Sequence, residues 1–135
     1  MVLLCKAKKY SIINEEIFDK AAKFILDQEI DFGAYKKSEH VHADILNADA
    51  MAAAFLLKFG SKSSTEKYTK AGKRAIANIC LQQFSNGAYP YSGPKRAYPY
   101  KYHFFIPCIH YQAVTLYYFC LLYTSDAADD TPSVD

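Results

Sequence analysis

The sequence is defined first by what it lacks. No run of 18 apolar residues occurs in its 135 residues, so neither a membrane-spanning helix nor a membrane partner is expected. The apolar start Val2-Leu3-Leu4 is too short for a signal peptide and precedes its charges, Lys6, Lys8 and Lys9, instead of following them. The reading is therefore cytoplasmic, with an export signal placed only on any upstream segment. Four cysteines, Cys5, Cys80, Cys108 and Cys120, show no CxxC or metal-ligand spacing, so no metal and no cofactor is expected. Cys80 and Cys108 lie among apolar residues and read as buried thiols. No nucleic-acid motif is present, and the lysines are scattered singly or in pairs, as on a solvated face. Tryptophan is absent, yet aromatic residues make up 16% of the chain through 12 Tyr and 9 Phe. Tyrosine buries a large ring while its hydroxyl seeks a partner, so these rings suit either helix packing or a wet, concave surface.

The last stretch differs in character from the rest. Cys120-Leu-Leu-Tyr-Thr-Ser-Asp-Ala-Ala-Asp129 resembles, over ten consecutive residues, the translation of a transposase adapter used in DNA library preparation. A strongly apolar helical pattern gives way there to an acidic segment containing Ser and Pro, with no periodicity. Residues 120–135 are therefore read as a non-native tail, and helix four is expected to be cut off at Phe119. Four of the 14 acidic residues lie in this tail, which leaves 10 against 16 Lys and Arg in the remainder.

After a lead-in over residues 1–13, the pattern predicts an all-α domain over residues 14–119. Asn14 is the expected N-cap of a first helix, with Glu15 and Glu16 in its first turn. Ile17, Phe18, Ala21, Ala22, Ile25 and Leu26 recur at helical spacing, and the helix ends near Gln28. A polar loop through Gly33-Ala34-Tyr35 to Glu39 follows. A second helix runs from about Val41 to Phe59, with Gly60 as its stop. Ser63 and Glu66 have the spacing of a capping box for a third helix, whose inward stripe is Tyr68, Ala71, Ala75, Ile76, Ile79 and Cys80. Gln82 and Gln83 close it. A long Gly/Pro-containing loop leads to a fourth helix starting near Ile106-Pro107.

These pieces repeat. Ala22…Gln28…Gly33-Ala34-Tyr35 parallels Ala77…Gln83…Gly87-Ala88-Tyr89, and the two Gly-Ala-Tyr triplets lie 54 residues apart. The helices that follow align at an offset of 63, which places His40 on His103, Asn47 on His110, Ala50 on Ala113 and Phe55 on Tyr118. The unit is helix, Gly-aromatic loop, helix, with hairpins over about 14–59 and 63–119. One such hairpin cannot bury both faces, so neighbours must stack on it.

Gln83-Phe-Ser-Asn-Gly87-Ala-Tyr89 resembles the Q-x-x-x-G-x-W/Y turn of α/α-toroid proteins. These include the six-hairpin glycosidase-like group (glycoside hydrolases, polysaccharide lyases and sugar epimerases) and the terpenoid cyclase and prenyltransferase group. Glycine permits a positive φ where the chain leaves the helix, and the Gln amide can bond free helix-end carbonyls. His42-Ala-Asp-Ile-Leu-Asn47-Ala-Asp49 resembles the segment heading an inner helix in toroids of polysaccharide metabolism, and Tyr102-His103 resembles the Tyr/Phe-His pair before the next inner helix. The usual acidic residue near that pair is replaced here by Pro99-Tyr100-Lys101, and Tyr replaces Trp in the turn. No Asp-rich DDxxD segment and no Asp-Cys-His zinc set supports the terpenoid group.

The resemblance implies two hairpins of an incomplete α/α toroid, in a fragment that is carbohydrate-active or polysaccharide-associated and inactive alone. Its partner would be an oligosaccharide or polysaccharide. The catalytic candidates are His103, His42 and Asp44. The substrate-binding candidates are Asn47, Asp49, Tyr89, Tyr91, Tyr100, Tyr102 and His110. Each has a plain structural alternative. His42 and Asp44 also suit capping, His110 also suits a hydrogen-bonded core, and the Tyr loop also suits packing on a neighbouring hairpin. Asp44 and Asp49, five apart, are expected to diverge on a helix, leaving no paired carboxylates of the glycosidase kind. The alternatives are a non-catalytic helical-repeat scaffold and a terpenoid-type toroid. Exposed helix faces of so short a piece are expected to drive self-association.

Overall fold

The computed structural model describes residues 15–36, 39–40, 43–93 and 108–129, with side chains as far as residue 123. The described residues are all-α in class. They form α1 (Glu15–Asp27), a two-stranded antiparallel ribbon of β1 (Glu29–Asp31) and β2 (Ala34–Tyr35), α2 (Leu46–Lys62), α3 (Glu66–Leu81) and α4 (Ile109–Asp129). No helix among them is long and apolar enough to cross a membrane.

α1 forms where the 3.6-residue apolar spacing is strongest. Glu15 and Glu16 occupy its first turn, where carboxylates complement the helix dipole. Lys20–Glu16 (2.7 Å) and Lys23–Asp19 (2.6 Å) pair one turn apart on its wet side. Phe18 and Ala22 are buried against α2, and Phe18 stacks near Phe55 and Phe59 with ring centroids 6.2 and 5.9 Å apart. Tyr68 of α3 completes this cluster from the other side and donates its hydroxyl proton to Asp19. Burial, then that bond, pushes the Tyr68 phenol up to about 12.

α2 is the hub. It packs most extensively on α3, next on α4, and then on α1. Its alanine-rich sequence makes this possible, because Ala50, Ala52, Ala53 and Ala54 are all buried and let the neighbouring backbones come close. Gly60 serves the same end. It lies inside α2 and does not terminate it, and a Cβ there would meet Thr69 and Tyr68 of α3. The expected stop at Gly60 is thus replaced by a close helix crossing. α2 also starts later than expected, at Leu46, because Ile45 is extended and pairs with Ser92.

Other boundaries differ for local reasons. The N-cap of α3 is Thr65, with no side-chain cap bond, so the expected Ser63/Glu66 box does not form. Ser63 instead turns its hydroxyl back onto Phe59 O (2.9 Å), closing α2. Cys80 and Cys108 are exposed, not buried. Cys80 follows Ile79 by one residue, 100° around the helix from the buried stripe. α4 runs through Phe119 to Asp129, and Leu121, Leu122, Ala127 and Ala128 are strong helix formers that favour this continuation. Asn14, Ile106 and Pro107 lie outside the described residues.

The two halves share a structural detail that their sequences only hint at. Both Gly-Ala-Tyr glycines take positive φ, 73° at Gly33 and 85° at Gly87. The tyrosine N–H that follows each is caught by a side chain of the next helix. Asp49 Oδ1 accepts from Tyr35 N (2.7 Å), and Gln112 Oε1 accepts from Tyr89 N (2.8 Å). Tyr35 and Tyr89 are 54 apart and Asp49 and Gln112 are 63 apart, the two offsets at which the sequences align.

Candidate functional site

The polar centre of the molecule lies where the extended lead into α2 meets the last turns of α3. Ser92 bridges to Ile45, Leu46 N donates to Tyr91 O (3.3 Å), and Gly93 N donates to Asp44 O (2.9 Å). This short pairing fixes Asp44 ahead of the helix, while Asp49 sits in its first turn. The two carboxylates therefore converge, contrary to the divergence expected if both were helical. They form the paired constellation that a purely helical reading of the spacing misses.

Two amides at the end of α3 complete the centre, Asn78 in its last turn and Gln82 as its C-cap. Asn78 Nδ2 donates to Asp49 Oδ2 (3.1 Å) and to Asp44 Oδ1 (3.3 Å). Gln82 Nε2 donates to Asp44 Oδ2 (2.8 Å) and to Asn78 Oδ1 (2.9 Å). Asn78 and Gln82 are one helical turn apart, so their amides lie on one face. Gly93 closes the top. A Cβ there would meet Gln82 Oε1 and the Asp44 carboxylate, so a side chain at this position would push those two groups aside.

Burial separates the roles of the two acids. Asp49 is 0% exposed and Asp44 is 6% exposed. Burial, followed by the hydrogen bond and the charge of Asp44, raises the Asp49 carboxyl well above the ordinary carboxylate range. Its bonds from Tyr35 N–H and Asn78 act in the opposite sense and do not outweigh burial. The shift favours the protonated form of Asp49, which is hydrogen-bonded to Asp44. Nearby, Arg74 clamps Glu29 through two bonds (3.1 and 2.6 Å), and Glu29 Oε1 in turn accepts from Gly33 N (2.9 Å).

Tyr35 lies against the same centre. Its hydroxyl is buried with no hydrogen-bond partner among the described residues. Burial raises its phenol, and the charge of Glu29 adds to the effect. An unsatisfied buried hydroxyl costs free energy that its removal recovers. Tyr35→Phe is therefore expected to be neutral or to stabilise the chain by up to about 1 kcal/mol in urea denaturation. A loss of stability beyond that range would show that the hydroxyl has a partner.

The expected site residues separate clearly. Asp44 and Asp49 come together. Asn47 is half-buried in the first turn of α2, and His40 and His110 are exposed, with His110 edge-on to Tyr111 at 5.4 Å. His110 is thus not a core histidine. Tyr89 and Tyr91 are buried, Tyr89 against Phe119 (6.2 Å) and Tyr91 against Tyr111 (4.4 Å). Both are buried beside another ring, so they serve as packing residues and do not present open faces for a sugar. His42, Tyr100, Tyr102 and His103 lie outside the described residues. The sequence reading missed Asn78 and Gln82. Their i, i+4 spacing, which sets two amides on one helix face, was the available signal. Among the described residues no group of three or more His, Cys, Asp or Glu is placed to hold a metal.

The class so defined is an all-α protein with a buried, hydrogen-bonded carboxylate pair. No protein-family model, curated protein or solved structure matches the chain.

Proposed function

We propose that the chain is part of a carbohydrate-active or polysaccharide-associated α/α-toroid protein, with Asp44 and Asp49 as its proton-handling centre. The observation that carries this reading is the carboxylate pair at the head of α2, latched by Gly93. Gly93 is also where the chain enters the Tyr- and His-containing segment 94–107. The matched capture of the Tyr35 and Tyr89 N–H groups supports the repeat on which a toroid is built.

The geometry favours some chemistries over others. A glycosidase of the common kind sets its carboxyl groups about 5 Å or more apart, so that the scissile bond lies between them. Asp44 and Asp49 are hydrogen-bonded to each other, which leaves no such gap. A lyase or epimerase, which moves a proton at a sugar carbon, fits this arrangement better than a hydrolase. Asp44 is the outer acid and would face substrate, with Asp49 behind it as the proton reserve. An incomplete ring is expected to bind sugar without turning it over.

Calorimetry with uronate and neutral oligosaccharides tests the reading. Binding is expected, and Asp44→Asn, Tyr100→Ala and His103→Ala should each weaken it by about tenfold, a loss of about 1.4 kcal/mol. Absence of heat with every sugar, together with peptide binding, would favour a non-catalytic helical-repeat scaffold. One observation already leans that way. Asp49 serves the Tyr35 backbone just as the amide Gln112 serves Tyr89, a role that needs no catalysis.

A further inference from the structure

The two Gly-Ala-Tyr turns differ at the residue before the glycine. Phe32 precedes Gly33, and Asn86 precedes Gly87 at the same offset of 54. Both glycines take positive φ, so the turn forms with either residue. Asn86 turns its side chain back onto the turn and accepts from Ala88 N (3.0 Å). Phe32 instead holds a ring in water, 61% exposed, while Ala34 and Tyr35 beside it are buried. One exposed ring is ordinary by itself. The frame around this one is what gives it a use.

That frame is fixed at every point. Phe32 N donates to Asp31 Oδ1 (2.8 Å), and Gly33 N donates to Glu29 Oε1 (2.9 Å). The ribbon is tied down beyond the turn by Tyr35 N to Asp49 (2.7 Å) and by Lys36 N to Gln28 O (3.0 Å). Gly33 rests on the α3 backbone at Arg74 and Ala75. The Arg74 guanidinium stands 6.0 Å from the Phe32 ring centroid. Glu29 holds that guanidinium through two bonds, which use two of its five N–H groups.

An exposed ring beside a fixed guanidinium and a carboxylate offers what a sugar ring requires. The aromatic face is electron-rich and attracts the partly positive C–H hydrogens on the apolar face of a pyranose. Arg74 and Glu29 supply a donor and an acceptor for its hydroxyls. The ribbon and the guanidinium are already ordered, so little of that ordering remains to be lost on binding. The position also suits the carboxylate pair. Arg74 lies one helical turn, about 5.4 Å, before Asn78 on α3, and Asn78 bonds both Asp44 and Asp49.

We propose that Phe32 is the stacking platform of a sugar subsite, with Arg74 and Glu29 as its polar edge. The subsite rests on the carbohydrate reading and adds to it a ring outside the segment from Tyr89 to His110.

The test uses the full chain. It contains no tryptophan, so Phe32→Trp places a single indole at the platform and keeps an aromatic face there. Titration of this variant with uronate and neutral oligosaccharides should change its emission, with the midpoint that calorimetry gives for the same sugar. Phe32→Ala should weaken binding by about tenfold, and Phe32→Tyr should hold it within about twofold. The ring is exposed, so Phe32→Ala should unfold in urea at the wild-type midpoint, which separates lost stacking from a lost fold. Two results would each overturn the subsite and leave the carbohydrate reading standing. One is emission that stays constant while calorimetry registers sugar binding to Phe32→Trp. The other is a Phe32→Ala affinity equal to that of wild type. No heat from wild type with any sugar would overturn both.

Discussion

Gly33→Ala is expected to destabilise the fold by about 3 kcal/mol or more, from two independent strains. Gly33 has φ 73°, a left-handed conformation that side chains with a Cβ rarely adopt. A Cβ built there would also meet the Arg74 carbonyl and the Ala75 N–H of α3. Those atoms are helix backbone and cannot rotate away. The turn is held further by Glu29, which bonds both Gly33 N and the Arg74 guanidinium, so the ribbon cannot shift without breaking that clamp. Gly87 supplies the contrast. Its φ is 85°, yet a Cβ there meets nothing within 4 Å. Gly87→Ala should therefore cost only the backbone term, about 1–2 kcal/mol. Urea denaturation of the two variants checks the difference, and equal losses would show that Gly33 does not rest on α3.

Asp49→Ala is the second large effect. It is expected to cost about 3 kcal/mol, because it leaves the buried Tyr35 N–H without an acceptor, removes a partner of Asn78 and opens a cavity beside α3. Asp49→Asn should cost only about 1 kcal/mol, since an amide oxygen can still accept from Tyr35 and its NH2 can still donate to Asp44. The two variants also differ from wild type in pH dependence. The folded-state pKa of Asp49 is raised above its ordinary value of 3.8. Between that value and the raised one, the folded chain holds a proton that the unfolded chain has released, so stability falls as pH rises. The contribution is fully present below the ordinary value and is lost as pH climbs through the raised one. The groups facing Asp49 are Asp44, Asn78 and Tyr35, with the Glu29–Arg74 pair behind Tyr35. Asp49→Asn should flatten the decline in stability seen by urea denaturation from acid to neutral pH. An unchanged slope would mean that another group carries it.

The sequence was most informative where a short-range rule and the packing agree. α1 shows its buried Phe18 and Ala22 through plain 3.6-residue spacing, and α3 does so through Tyr68, Ala71, Ala75 and Ile79. It was least informative where a long-range contact decides. Gly60 looks like a helix stop but is a crossing point, because what matters is Tyr68 and Thr69 of the next helix. Ser63 and Glu66 have the spacing of a capping box, yet Ser63 closes the helix before it. The carboxylate pair was invisible for the same reason. Five residues of separation implies divergence only if both acids are helical, and the pairing of Ile45 with Ser92, 47 positions away, keeps Asp44 outside the helix. Tyr89 and Tyr91 were legible as aromatic but not as buried, since the rings that cover them come from α4.

The central claim is that Asp49 keeps its proton when other carboxylates have lost theirs. Infrared difference spectroscopy between wild type and Asp49→Asn at neutral pH tests it most directly. The account predicts a protonated carboxylic acid C=O band in wild type, lost in the variant and shifted in Asp44→Asn through the broken hydrogen bond. A wild-type spectrum with carboxylate bands alone, unchanged by either substitution, would contradict it and reduce the pair to two ordinary ionised side chains.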